Sequence, residues 1–231
     1  MSKLYLYGIF HGNLSFSYIP TDLYGQIIER CYWPLLEIIQ HQKVPFGIEL
    51  PAFTLQMINR IDPRWVRKLA ELWENGYCQF IGSGYIQSIM PLIPYEANLK
   101  NLHYGNEVYK NLLGKAPNMA FVNEQVFSQS LPEIYRSANY ESLIVNWDSA
   151  LPLQTNQDLK YKTCKIKLNG VNSHIPILWH YTTAYRNLQN YIEQKSSLND
   201  YTEWLDSNIP KSGYRTLAFY SSDLEVFDFK P

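Results

Sequence analysis

Three cysteines in 231 residues, Cys31, Cys78 and Cys164, are too few and too widely spaced for a disulfide framework, and no Cys-x-x-Cys pair offers a zinc site. Reduced thiols, and with them a cytoplasmic location, are the expectation. A basic excess is missing as well. Lys and Arg number 20 against 21 Asp and Glu, a net charge of -1, and no basic stripe interrupts the mixture, which argues against nucleic acid and anionic membranes as partners. No apolar run approaches the length of a membrane span, and the opening "MSKLYLYGIF" carries no small-residue cleavage site, so it reads as a first strand. Nor is there a His-x-x-x-His or comparable ligand pair; His174 and His180 stand six apart, and neither a metal nor a cofactor is expected. Repeats, low-complexity tracts and linkers are absent, so residues 1–231 are read as one domain. What the chain does have is apolar and aromatic residues, 46% and 15% of the total, enough for one sizeable core.

Along the chain, strand-like and helix-like patterns alternate. After "LYLYGIF", apolar residues at helical spacing run from about Asp22 to Gln40, with Pro34 expected to kink or split the helix. "VPFGIEL" reads as a strand, Asp62-Pro63 as the cap and first turn of a helix burying Trp65, Leu69, Leu72 and Trp73, and "GYCQFIGSG" as the next strand. Tyr95 to Leu113 has a helical period, "NMAFVNE" suits a buried strand, and Ser130 with Glu133 reads as a capping box opening a helix to Ala138. "SLIVNWD" is a fifth strand. "CKIKL" and "SHIPILWH" read as strands around an Asn169-Gly170 turn, helical patterns follow near Leu188 to Tyr191 and Tyr201 to Leu205, and "RTLAFYSS" is the last strand. Such alternation predicts an α/β fold with mainly parallel strands, about seven of which close or nearly close a barrel.

In that arrangement His11, Glu49, Ser83, Glu124, Asp148, His180 and Asp223 each fall at or just past the C-terminal end of a strand, the end where barrels of this kind carry their active sites. Four carboxylates and two imidazoles on one rim suit glycoside hydrolysis, which needs one carboxylate as nucleophile or base and a second carboxyl as proton donor. Tyr85, Trp147, Trp179 and Tyr181 lie close enough in sequence to stack on sugar faces, although most of the 19 Tyr and 6 Trp must serve ordinary packing. A metal-dependent polysaccharide deacetylase is the competing hydrolytic chemistry, and a glycan-binding barrel without turnover the competing class.

Several segments resemble the N-terminal catalytic region of glycoside hydrolase family 57: "FHGNLSFS" its first region, "GIELPAFTL" its second-strand segment, and "GSGYIQSIMPLIP" the stretch after its third strand. "FVNEQVFS" stands where the family carries its nucleophilic Glu, and "YSSDLEVFDFKP" where it carries its general acid Asp. The resemblance implies an incomplete (β/α)7 barrel and a retaining reaction on an α-glucan or related polysaccharide, with Glu124 as nucleophile and Asp223 as general acid and base. It also departs from the family. Asn13 replaces a second His, Gln87 stands where a His is usual near the third strand, and "Val-Asn-Glu" replaces "Trp-x-Pro-Glu" around the nucleophile. The expected substrate contacts are His11, Asn13, Glu49, Tyr85, Gln87, Trp147, Asp148, His180 and Glu225, the last two residues beyond Asp223. Because the family continues into further helices, the resemblance implies a catalytic barrel shortened at its C-terminus.

Overall fold

The computed structural model describes residues 2–150, 161, 164–167 and 174–227. Eight strands are described: β1 (Lys3–His11), β2 (Gly47–Glu49), β3 (Gln79–Ile81), β4 (Met119–Phe121), β5 (Ser142–Asn146), β6 (Cys164–Lys167), β7 (His174–His180) and β8 (Tyr214–Asp223). Their order is β3-β2-β1-β8-β7-β5-β4, parallel throughout except that β6 pairs antiparallel with β7 on the outside. A single parallel bridge, Gly82 to Ala120, brings β3 against β4 and closes a ring of seven parallel strands. The "CKIKL"/"SHIPILWH" hairpin is therefore present as antiparallel strands, while the Asn169-Gly170 turn lies outside the described residues.

Side chains alternate across a strand, so every second residue points into the barrel. Ile9, Ile81, Phe121 and Ile144 form the buried inner layer, flanked by Tyr7, Met119 and Leu178. The other faces are covered by two larger apolar clusters. One joins β2 to the helices α1 (Tyr24–Ile27), α2 (Trp33–Gln42), α3 (Ala52–Ile61) and α4 (Pro63–Glu74); the other joins β4, β5 and β7 to α5 (Tyr95–Leu113) and α6 (Leu131–Ser137). The remaining helices are α7 (Trp147–Ala150), α8 (Thr182–Ile192) and α9 (Leu198–Ser207).

Four local outcomes differ from the sequence expectation or sharpen it. Pro34 does not break its helix: α1 and α2 are joined by a π turn over Ile28–Tyr32, and Pro34 falls at the start of α2, where a missing N–H does least harm. Helix α3 was not anticipated, because "PAFTL" continues an apolar strand without a polar cap; Pro51 in extended geometry supplies the break. Asp62 does cap α4, accepting from the Arg64 backbone N–H at 3.1 Å. Ser130 makes no capping bond, its hydroxyl pairing instead with that of Ser128 at 3.0 Å.

Candidate active site

The C-terminal end of the ring opens into a cleft of about 280 Å³ lined by His11, Asn13, Gln87, Phe121, Glu124, Gln125, His180 and Asp223. His11 ends β1 and registers with Glu49 on one side and Asp223 on the other. The second pairing depends on a bulge. Between Ile9 and His11 two steps of β1 are matched by three of β8, from Tyr220 to Asp223, and the extra residue brings Asp223 rather than Ser222 opposite His11.

His11 Nδ1 is hydrogen-bonded to Glu49 Oε2, both side chains out of solvent. Burial alone would lower the imidazole's pKa, but the Glu49 carboxylate, with Asp223 and Glu225 behind it, lifts it to about 9, so His11 is a cation at neutral pH. His180, at the end of β7, goes the other way: burial pulls it down to about 4, opposed only in part by Asp148. The ring of Phe121 lies between them, stacked at 6.1 Å from His11 and 6.4 Å from His180. One charged and one neutral imidazole thus face the same space.

Glu225 is buried beneath the cleft, where Oε1 accepts from the Tyr32 hydroxyl and, at 2.8 Å, from the Asn13 backbone N–H. Burial pushes its carboxyl up, opposed by the Tyr32 hydroxyl and the nearby His11 charge. Its contribution is to fix the β1 loop.

Glu124 is exposed on a one-turn 3-10 segment, Asn123–Gln125, directly after β4. Glu124 and Gln125 both adopt left-handed backbone, at φ 53° each, a conformation that costs a non-glycine residue on the order of 1–2 kcal/mol. Strain of this kind collects at functional sites because the surroundings must enforce it. Here the enforcers are visible. Asn123 Nδ2 donates to the Ser83 carbonyl at 2.9 Å, Gln125 Nε2 to the Val122 carbonyl at 2.7 Å, and Gln87 Nε2 to Glu124 Oε1 at 2.5 Å.

The cleft is rich in acceptors. Asn13 Oδ1, Gln87 Oε1 and Gln125 Oε1 are out of solvent with no hydrogen-bond partner among the described residues. An orphaned acceptor costs about 1–3 kcal/mol, so a ligand rich in hydroxyl donors is the chemistry that relieves it. Among the described residues no group of three His, Cys, Asp or Glu side chains is placed as a metal would require.

Not every expected residue reaches the cleft. Glu124, Asp223, His11, Asn13, Gln87 and His180 line it; Glu49 and Glu225 lie behind it as partners of His11 and Asn13. Asp148 is exposed at the start of α7, its backbone N–H donating to Asn146 Oδ1 at 2.8 Å, and it meets His180 through its charge. Two expectations need correcting. Trp147 is 1% exposed and packed edge-on against Trp179 in the core, so neither indole offers a stacking face. Tyr85 turns outward, packed against Phe53 and Tyr104 with its hydroxyl on Gln56 Oε1 at 3.2 Å. The sequence reading missed Phe121, whose apolar side chain within "NMAFVNE" looks like the strand's other core residues, and Gln125, the neighbour of Glu124.

The sequence profile of glycosyl hydrolase family 57 matches residues 5–227. The chain belongs to that family. Its relatives include α-amylase 1 of Dictyoglomus thermophilum, 24% identical over 132 residues, which covers 55% of this chain and 19% of that protein. The α-amylase of Pyrococcus furiosus is 22% identical over 127 residues, covering 54% of this chain and again 19% of the relative. The family 57 chain therefore spans about a fifth of the length of these curated relatives. Among solved structures, the 4-α-glucanotransferase of Thermococcus litoralis superposes with a TM-score of 0.79 at 17% identity over 98% of this chain and 34% of its own. The exo-type maltose-forming amylase of Pyrococcus sp. ST04, at TM-score 0.75 and 11% identity, shares the fold over 96% of the chain and 42% of its own. The incomplete (β/α)7 barrel expected of the family is the fold observed.

Proposed function

We propose that this chain is the catalytic barrel of a retaining glycoside hydrolase or glucanotransferase acting on an α-glucan, with Glu124 as nucleophile and Asp223 as general acid and base. The observation that carries the reading is the cleft itself: two carboxylates, one on the turn after β4 and one at the end of β8, face one acceptor-rich space at the C-terminal end of a family 57 barrel. The relatives named amylase and glucanotransferase support α-glucan as the substrate class. In the first step a Glu124 oxygen attacks the anomeric carbon while the glycosidic C–O bond breaks, and the departing oxygen takes the Asp223 proton. In the second, Asp223 removes a proton from water or a sugar hydroxyl, whose oxygen displaces Glu124 from the same carbon. His11, as a buried cation, is suited to donate to a sugar oxygen, and neutral His180 to exchange hydrogen bonds with hydroxyls.

Maltoheptaose turnover with chain-length analysis tests this. Glu124→Gln should abolish turnover while leaving sugar binding in place, since the amide keeps the size and removes the nucleophile. Asp223→Asn should slow turnover by roughly 10²- to 10⁴-fold. Azide should restore turnover to Glu124→Gly, giving a glycosyl azide of inverted configuration. Undiminished turnover in Glu124→Gln would remove Glu124 from the mechanism.

A further inference from the structure

We propose that Gln87 is the positioning residue of Glu124, fixing which way the carboxylate faces across the junction between β3 and β4. The assignment rests on the reading of Glu124 as nucleophile. The contact has only one possible sense: a carboxylate accepts, so the amide nitrogen of Gln87 must be the atom at 2.5 Å from Glu124 Oε1. Among the described residues no other side chain bonds the Glu124 carboxylate, and its backbone is held in the left-handed region, so Gln87 is what fixes an otherwise exposed group.

The segment that carries Gln87 is itself tied down. Asn101 of α5 accepts from the backbone N–H of Tyr85 at 3.1 Å and of Ile86 at 2.9 Å, and donates to the Ile86 carbonyl at 3.2 Å. From the other side Asn123, the neighbour of Glu124, donates to the carbonyl of Ser83. Gln87 therefore follows directly on a segment held from α5 on one side and from the Glu124 turn on the other, and one amide joins it to the reacting carboxylate. Because the amide donates one N–H to Glu124 Oε1, the other carboxylate oxygen is left to attack. The Gln87 carbonyl has no partner among the described residues and stands ready for a hydroxyl of the bound ring.

The test uses the full 231-residue chain with maltoheptaose and three variants, Gln87→Met, Gln87→Glu and Glu124→Gln, each checked for an unchanged circular dichroism spectrum. Gln87→Met keeps the length and removes the donor; kcat should fall on the order of 100-fold with KM within about twofold, the signature of a misaligned reacting group. Gln87→Glu puts a second carboxylate against the first, so the acid limb of kcat/KM should move to higher pH. The titratable groups that share the cleft, His11 from β1, His180 from β7 and Asp223 from β8, are unchanged in that variant, as are Glu49 and Glu225 behind them. If Gln87→Met is misfolded, the Gln87→Glu profile decides alone, and an unmoved acid limb overturns the proposal. Wild-type kcat in Gln87→Met, or a raised KM with kcat intact, overturns the positioning role while Glu124→Gln remains inactive. Activity in Glu124→Gln, or none in the wild type, overturns the reading of the nucleophile and this assignment with it.

Discussion

His11 and His180 share the Phe121 ring yet titrate in opposite directions, and the pH dependence of stability follows from each. His11 is held at about 9, above its ordinary 6.5, so its pairing with Glu49 stabilises the fold in full below pH 6.5 and is lost as pH rises through 9. His180 is held at about 4, so its neutral burial stabilises the fold in full above pH 6.5 and is lost as pH falls through 4. Thermal melts across pH 4 to 10 should show this as differences between variants. His180→Gln should flatten the acid limb relative to wild type. Glu49→Gln should flatten the alkaline limb and, because it strips a buried cation of its counter-charge, cost about 3–5 kcal/mol near neutrality. An alkaline limb equally steep in Glu49→Gln would mean the His11 charge is held by something else.

Elements carry the site residues to the rim, and here backbone geometry decides. The left-handed turn at Glu124 and Gln125 makes a stability comparison possible: Glu124→Gly should be about 1 kcal/mol more stable in urea than Glu124→Ala, since only glycine occupies that region freely. Gly105 of α5 is a matter of close approach. A Cβ there would sit 2.6 Å from the backbone carbon of Gly84, itself at φ 102°, so Gly105→Ala should displace the segment leading to Gln87 and lower both Tm and turnover. Loss of stability without loss of turnover would mean that the segment is not coupled to the site. Much at this scale was legible. Helix α5 matches its predicted span of Tyr95 to Leu113, and strand-end placement found His11, Glu124, His180 and Asp223 of the cleft, with Asn13 and Gln87 added by the family resemblance, because burial and regular repeats leave a direct mark on sequence. The bulge in β8 left none: strict alternation would place Ser222 in register with His11, and only the pairing to β1 reveals that Asp223 takes that position. Trp147 was misplaced for a related reason, since a chain that turns from strand into helix at that residue sends the side chain to the core instead of the rim.

At the scale of the whole molecule the ring of strands has two thin joints. Among the described residues β3 meets β4 through one bridge, Gly82 to Ala120, and β7 meets β8 through one registered pair, His180 with Ala218. β1 and β8, in contrast, are in register from Lys3 and Tyr214 to His11 and Asp223. The two joints divide the ring into β8-β1-β2-β3 and β4-β5-β7, and each part has its own apolar cluster outside. Native-state hydrogen exchange should therefore show the β1 amides protected to the level of global unfolding, with the amides of Phe121 and Gly82 exchanging through a smaller opening. Uniform protection around the ring would show that the joints are as firm as the long pairing.

Glu124 belongs to one of those parts and Asp223 to the other. The gap between the two carboxylates is consequently a coordinate of the joints and not a property of either residue. A pair that attacks directly wants a span of about 5–5.5 Å, and one that admits water between its members about 6.5–9.5 Å. In a barrel jointed in this way a buried side chain such as Asn123, bonded to the Ser83 carbonyl across β3 and β4, bears on that gap. If Glu124 and Asp223 are the reacting pair proposed above, substitutions that loosen that stitch should alter the stereochemical outcome of the reaction as well as its speed, read from the anomer first released.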